Sequence, residues 1–228
     1  MILAALMHVL AGANISYLIC SVKRKFKKRI LLLCMGGLAG ISPDITKYFG
    51  DLFGHSVWAV PIFGLLIALI AKLFIKDTSL KKLWLAFSLS VLFGHIFIDL
   101  ISNGIALFYP WLRGEIGFHI IGKLDVIIFF IMMVTITIVI VSYSKGKVSA
   151  IIGMLLIATY IGVLTYSKIQ LYQTLIDQYE KDKIKIIATY PSKVFMWDFQ
   201  VETSRYFIRG NAPIFSDSID ITDKWKKK

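Results

Sequence analysis

The sequence predicts an all-α polytopic membrane helical bundle of about six spans, followed by a small C-terminal tail of mixed α/β or β-rich structure. Two observations indicate this fold class. The mean hydropathy is +0.72 and 57% of the residues are hydrophobic, which excludes an ordinary soluble domain. Several apolar segments also approach the ~20 residues that are needed to cross a bilayer.

The six predicted spans follow one another up to residue 167. The second span is short and glycine-rich, and it ends before Pro43, a residue that disfavours a helical conformation just ahead of it. Its Gly36 and Gly40 lie four residues apart, which is typical of close helix packing. The predicted spans are Met1–Cys20, Phe26–Ile41, Val57–Ile75, Leu83–Ile101, Leu124–Tyr143 and Val148–Ser167.

The remaining residues form a tail. Residues 168–182 continue the last helix in amphipathic form, and the pattern beyond them predicts a small β-sheet because apolar and polar residues alternate. We therefore expect two domains, a transmembrane helical metal-site domain over 1–167 and a soluble tail over 168–228. The tail could cover a site, bind a partner or cap the bundle. The β-prone stretches are 183–190, 193–202 and 206–209.

The net charge of +12 orients the protein. Basic residues cluster in Lys23–Arg29, in Lys72–Lys82 and at Lys145 and Lys147, which are alternate loops between the predicted spans. The positive-inside rule makes these loops cytoplasmic, so the N-terminus and the tail are expected to be extracytoplasmic. This distribution favours a basic rim facing lipid over a nucleic-acid interface, and no nucleic-acid partner is expected.

Ionisable residues in the apolar runs indicate a functional site. An Asp at the centre of a membrane helix costs ~2.5–3.5 kcal/mol, so such groups normally face a site or a water-filled cavity. The expected topology places all of them toward the outer side of the membrane. They are His8, Asp44, His55, His95, Asp99 and Asp125, with His119 close to the last of them.

His95 and Asp99 are the most informative pair. Residues four apart share one face of a helix, with Cβ atoms ~5–6 Å apart, so both side chains can bind one ion. A hydrogen bond that merely satisfies two buried groups is the alternative. Taken singly, Asp44 also suits a helix cap, His55 a solvated loop and His8 a packing role.

Five short motifs follow one another along the chain, namely His8, Ser42-Pro43-Asp44, His55-Ser56, His95-x-x-x-Asp99 and Tyr109-Pro110. Their order resembles the YdjM-like family of inner-membrane proteins, described as metal-dependent hydrolases and similar to zinc-dependent phospholipase C and nuclease proteins. The resemblance implies an all-helical fold, a bacterial inner-membrane location and metal binding by His8, Asp44, His55, His95 and Asp99. Thr46 stands where the family often has a second Asp.

The expected function is metal-dependent hydrolysis at the outer face of the membrane, with a small-molecule or lipid-linked phosphoester as substrate and membrane lipids as partners. Mixed imidazole and carboxylate ligands suit zinc, with manganese or iron as alternatives. Asp44 is expected to be a ligand or the general base, and a bound ion lowers the pKa of water to ~7. The alternative is a non-enzymatic transporter or assembly factor with a structural or coupling metal.

Overall fold

The structure is a computed structural model that describes residues 2–20, 26–47, 49, 52–142, 144–215 and 218–227. The chain forms two compact units. Unit 1 contains Met1–Phe118 and Lys123–Ile157, and unit 2 contains His119–Gly122 and Ala158–Lys228. The division falls inside the last long helix, ten residues before the predicted domain boundary at 167.

Unit 1 is helical, and a helix lies in each of the six apolar segments. A 3-10 turn, Phe53–His55, precedes the fourth helix, and a π turn, Leu92–Ile96, joins the fifth and sixth helices. The helices are α1 (Ile2–Cys20), α2 (Phe26–Ile41), α3 (Asp44–Lys47), α4 (Ala59–Phe74), α5 (Leu80–Val91), α6 (Phe97–Ile101), α7 (Val126–Val141) and α8 (Gly146–Tyr179), of which α8 continues into unit 2.

The prediction of a six-span, all-α bundle is wrong. Among the described residues, two helical stretches are long and apolar enough to cross a membrane, Leu80–Ile101 and Gly146–Asp182. Three other apolar helices are shorter, namely Ala4–Cys20, Ala59–Phe74 and Val126–Val141. A helix rises ~1.5 Å per residue and a bilayer core is ~30 Å thick, so the 16 residues of α4 or α7 fall short.

Glycines allow α1 to lie directly against its neighbours. A Cβ on Gly40 would collide with the carbonyl oxygen of His8, and one on Gly36 would collide with the side chain of Ser16. A Cβ on Gly94 would lie 2.9 Å from the backbone nitrogen of Gly12. The predicted close packing at Gly36 and Gly40 is confirmed. These contacts bring the backbones of α1, α2 and the π turn together.

One end of the helical unit is basic. Lys28, at the start of α2, forms an ion pair with Asp77, which lies in the connection between α4 and α5. The Nζ and Oδ2 atoms are 3.2 Å apart. The guanidinium of Arg29 donates a hydrogen bond to the carbonyl of Ile140, at the end of α7. Of the basic segment predicted for this end, residues 23–25 lie outside the described residues.

Unit 2 contains a four-stranded antiparallel sheet in the order β1-β2-β3-β4. The first three strands occupy the stretches predicted as β-structure, and the fourth was not expected. Trp197 and Phe199 on β2 and Ile208 on β3 are buried, because alternate residues of each strand point to one face. The strands are β1 (Ile184–Pro191), β2 (Met196–Thr203), β3 (Tyr206–Pro213) and β4 (Asp220–Lys226).

Candidate metal centre

The five predicted site residues come together within unit 1. Each is carried by a different element, so their proximity is produced by tertiary packing. Asp44 is partly exposed at the edge of the cluster, and the other four side chains are at most 8% exposed. His8 lies on α1, Asp44 begins α3, His55 ends the 3-10 turn, His95 lies in the π turn and Asp99 lies on α6.

Ligand-type atoms of His55, His95 and Asp99 have the separations expected around one small cation, and Asp44 lies beside them. The Nε2 atoms of His55 and His95 are 3.1 Å apart. Oδ2 of Asp99 lies 3.7 Å from Nε2 of His55 and 3.4 Å from Nε2 of His95. Oδ1 of Asp44 lies 3.4 Å from Nε2 of His55 and 3.7 Å from Nε2 of His95. Zinc bonds of 2.0–2.2 Å in a tetrahedron place ligand atoms about 3.3 Å apart, so His55, His95 and Asp99 fit one such ion.

His8 approaches the same carboxylate from the other side. Its Nε2 is 3.4 Å from Oδ1 of Asp99, whose second oxygen faces the other histidines. Its ring also stacks on that of His95, with centroids 4.1 Å apart. The five residues form two overlapping groups with suitable ligand atoms within 4.8 Å, one of His8, Asp44 and His95, the other of His55, His95 and Asp99.

Backbone carbonyls set the orientation of two rings. Nδ1 of His8 is 3.0 Å from the carbonyl oxygen of Gly94, and Nδ1 of His95 is 2.7 Å from that of Gly40. A carbonyl oxygen only accepts hydrogen bonds, so both Nδ1 atoms donate. In the neutral ring the Nε2 lone pair then points into the cluster, which is the arrangement found in metal-bound histidines.

His55 lacks such an acceptor. Its buried Nδ1 has no hydrogen-bond partner among the described residues, while its Nε2 faces that of His95. A buried polar atom without a partner costs ~1–3 kcal/mol. If the proton of His55 is on Nε2, its buried Nδ1 is an acceptor without a donor. If the proton is on Nδ1, the Nε2 lone pairs of His55 and His95 face each other. A cation between the rings would remove the second conflict.

Asp44 is held in its charged form. Burial alone would raise the pKa of this carboxyl group, but the hydrogen bond from His55 and the charge of Lys47 outweigh burial and hold its pKa well below the usual range. The ammonium group of Lys47 lies 3.2 Å from Oδ1 of Asp44 and 3.9 Å from Oδ2 of Asp99. The carboxylate is therefore available as an anionic ligand.

Backbone and hydroxyl contacts fix the loops that carry these residues. Thr46 donates to the carbonyl of Pro43 and accepts from the backbone N–H of Gly54, each at 3.1 Å. Thr46 thus ties α3 to the turn that ends at His55. At the other side, the carbonyl of Asp99 accepts from the N–H groups of Asn103 and Gly104.

The π turn gives His95 its position. In Leu92–Ile96 the backbone is wound more widely than in an α-helix, and the N–H of Phe97 bonds to the carbonyl of Leu92, five residues earlier. Such turns amount to one extra residue in a helix and are frequent at functional sites. Nε2 of His95 nevertheless reaches the carboxylate of Asp99, as the i, i+4 spacing predicts.

Two further residues singled out in the sequence have other places. Asp125 caps α7, since its carboxylate accepts from the N–H groups of Ile127 and Ile128, each at 3.0 Å. His119 belongs to unit 2, where its ring lies 5.2 Å from that of Tyr190. Neither belongs to the two ligand groups found among the described residues.

Sequence reasoning missed the groups that support the ligands. Gly40 and Gly94 contribute carbonyl oxygens, which no side-chain motif reveals, and nothing in the sequence marks the π turn. Lys47 carried a weak signal, because it follows Asp44 by three residues and therefore lies on the same face of a helix.

A family model described as YdjM inner membrane protein matches residues 3–171 of the chain. No curated protein and no solved structure matches it. The matched region contains all five residues of the cluster.

Proposed function

The chain belongs to the YdjM inner membrane protein family, and we propose that it is a membrane-bound metal-dependent hydrolase. The observation that supports this proposal is the cluster in which neighbouring imidazole and carboxylate ligand atoms lie 3.1–3.7 Å apart. His55, His95 and Asp99 have the spacing for one ion, with Asp44 and His8 as further ligands. Zinc fits these mixed donors, with manganese or iron as alternatives.

A divalent ion held here would supply a water of lowered pKa and a Lewis acid for a phosphoryl or acyl oxygen. The chain's own groups would prepare the site. The Gly40 and Gly94 carbonyls keep the Nε2 lone pairs of His95 and His8 directed inward. Asp44, at the exposed edge, is placed to accept a proton as general base if it is not itself a ligand.

We propose that the cluster faces the extracytoplasmic side. Lys81 and Lys82 lie at one end of the candidate span Leu80–Ile101, and His95 and Asp99 lie near the other. The positive-inside rule places the lysine end in the cytoplasm. Lys145 and Lys147 mark the start of Gly146–Asp182 in the same way, so the tail would also be extracytoplasmic. This topology requires the chain to return across the membrane between the two stretches, where the shorter apolar helix Val126–Val141 lies, and a short helix can cross where the bilayer thins.

A lipid-linked phosphoester is the substrate class that suits this position. Trp58 and Trp111 contact each other with ring centroids 4.9 Å apart, and both are exposed. The N–H of Val57 bonds to the carbonyl of Leu107, which ties this aromatic pair to the segment that carries His55. Tryptophans of this kind are typical of the membrane–water interface, where lipid headgroups lie.

Measuring both the metal content and the melting temperature of the purified protein and its variants tests the proposal. Protein purified in detergent without chelator is expected to carry one or two divalent ions, as mixed-ligand sites do. His95→Ala and Asp99→Asn should lower the metal content and abolish hydrolysis of lipid phosphoesters while the protein stays membrane-inserted. His119→Ala is the control, because His119 lies outside the cluster and should leave the metal content unchanged.

A folded wild-type protein with no metal would contradict the proposal. Full metal retention in His95→Ala and Asp99→Asn, with only a lower melting temperature, would assign the pair a purely structural role. Bound metal without hydrolysis of any phosphoester would favour the non-enzymatic alternative, a transporter or assembly factor with a structural or coupling ion.

A further inference from the structure

Lys47 is the flexible charged group at the opening of the cluster. Its side chain is 52% exposed, and that of Asp44 beside it is 27% exposed, whereas those of His55, His95 and Asp99 are at most 8% exposed. The cluster therefore opens toward solvent at α3. Any ligand that enters from this side passes the ammonium group of Lys47.

The ammonium group of Lys47 lies where it can take the place of a metal ion beside the carboxylates. Its Nζ lies 3.2 Å from Oδ1 of Asp44 and 3.9 Å from Oδ2 of Asp99, the same two oxygens that face the imidazole rings. A divalent ion bound by these oxygens would repel the ammonium group and satisfy the carboxylates in its place. Lys47 would then be free, with its three donors beside the ion and its charge unpaired.

We propose, on the premise of the metal site above, that Lys47 holds the phosphate group of the substrate. A phosphoester brings negative oxygens to the opening, and a lysine binds phosphate as a point charge with several donors. In the metal-free protein the same side chain pairs with Asp44 and Asp99. Lys47 is thus a substrate-binding residue that competes with the ion for the carboxylates and cooperates with it toward phosphate.

The two parts of this role predict effects of opposite sign. Lys47→Gln removes the competing charge, so zinc should bind as tightly as in the wild type or a few-fold more tightly. Inorganic phosphate should bind the zinc-loaded variant about tenfold more weakly, the usual effect of losing a charged hydrogen bond. Lys47→Arg keeps the charge and should retain most of the phosphate affinity. Calorimetry on the full chain in detergent measures both affinities.

Lys123→Gln is the matched control, because Lys123 is an exposed lysine that has no contact with the cluster among the described residues. It should change neither affinity. Repeating the titration with phosphatidic acid in mixed micelles distinguishes the two sources of phosphate. Tighter, Lys47-dependent binding of the lipid identifies a lipid headgroup as ligand, and equal or weaker binding identifies a soluble phosphoester.

Four results would overturn the inference. Weaker zinc binding by Lys47→Gln would show that Lys47 merely positions Asp44. Unchanged phosphate affinity in that variant, or no phosphate binding by zinc-loaded wild type, would exclude the substrate role while leaving the metal site intact. A wild type that binds no zinc would overturn this inference together with the proposed function.

Discussion

His55 differs from the other two histidines of the cluster because no backbone carbonyl fixes its ring. Its Nδ1 is buried without a partner among the described residues, whereas Nδ1 of His8 and of His95 each meets a carbonyl oxygen. An arrangement that costs folding free energy is tolerated where function requires it. Under the proposed function, His55 would serve metal binding at the expense of stability.

Replacing His55 by Leu should therefore separate stability from metal binding. In chelator the variant is expected to melt at the wild-type temperature or a few degrees higher, because each kcal/mol recovered shifts the midpoint by ~2–4 °C in a chain of this size. The stabilisation produced by added zinc should shrink. Thermal unfolding in detergent, with and without zinc, measures both quantities.

The matched variant is His8→Leu, which removes a ring whose Nδ1 has a hydrogen-bond partner. It leaves the carbonyl of Gly94 without this donor, so its metal-free form should melt below the wild type. If His55→Leu lost as much stability in chelator as His8→Leu, His55 would be a packing residue and not a metal ligand.

At the residue scale, the sequence predicts the candidate ligand side chains better than the backbone carbonyls that orient them. His95 and Asp99 could be paired from their spacing alone, because helix geometry fixes which residues share a face. The partners of the Nδ1 atoms are backbone carbonyls, and every residue has one. Which carbonyl is used depends on how close two helices approach, and that distance is a property of the packed structure.

At the scale of elements, the contact between α1 and α2 determines whether the cluster forms. Gly40 lies against the carbonyl of His8, and its own carbonyl accepts from Nδ1 of His95. A side chain at this position would separate the helices and displace both histidines. The close approach is thus part of the site as well as of the fold.

Gly40→Ala should reduce both the metal content and the melting temperature, since overpacking of this kind costs typically 1–3 kcal/mol. Gly162→Ala is the control, because a Cβ at Gly162 in α8 meets nothing within 4 Å and alanine favours a helix. Elemental analysis and thermal unfolding of the two variants give the comparison. Full metal content in Gly40→Ala would show that the site tolerates a wider α1–α2 spacing.

Hydropathy located the helices well and their lengths poorly. Segment Phe26–Ile41 was predicted to the residue, and α8 extends to Tyr179, as the amphipathic continuation indicated. The predicted span Val57–Ile75, however, includes residues outside α4. Apolar character marks a segment as buried or lipid-facing, but its helical length also depends on the turns at each end, where Ser56 and Ile75 leave the helical conformation.

For the whole molecule, the proposed orientation makes the basic end cytoplasmic and the His/Asp cluster extracytoplasmic. In a background without Cys20 and Cys34, single cysteines at Arg113 and at Lys193 in the tail should react with an impermeant thiol reagent in intact cells. A cysteine at Lys76, near the basic end, should react only after the cells are permeabilised. These three positions are exposed in the structure, so a lack of labelling cannot be caused by burial of the cysteine inside the protein.

Protection of the cysteines at Arg113 and Lys193 with labelling of the one at Lys76 would invert the topology and place the cluster in the cytoplasm.

The sign of the charge bias could be predicted from the sequence, because lysines and arginines are counted directly. The number of spans was not, because six apolar segments can pack on one another as well as on lipid. The apolar stretch of Leu80–Ile101 is 56% buried inside the protein, whereas that of Gly146–Asp182 is 22% buried, so the two stretches differ in how much surface is left for lipid.

The extra residue in the π turn gives the cluster a dependence on helix register. An α-helix turns by about 100° per residue, so deleting one residue from Leu92–Ile96 would restore a regular helix and swing everything beyond it around the axis by that angle. Asp99 would leave the face it shares with the rings of His8 and His55, although hydropathy and composition would hardly change. Chains that keep every ligand residue but lack this one insertion would have the helical scaffold without the centre. Counting residues between Ser90 and Asp99 is therefore a more stringent criterion for function than the presence of the histidines.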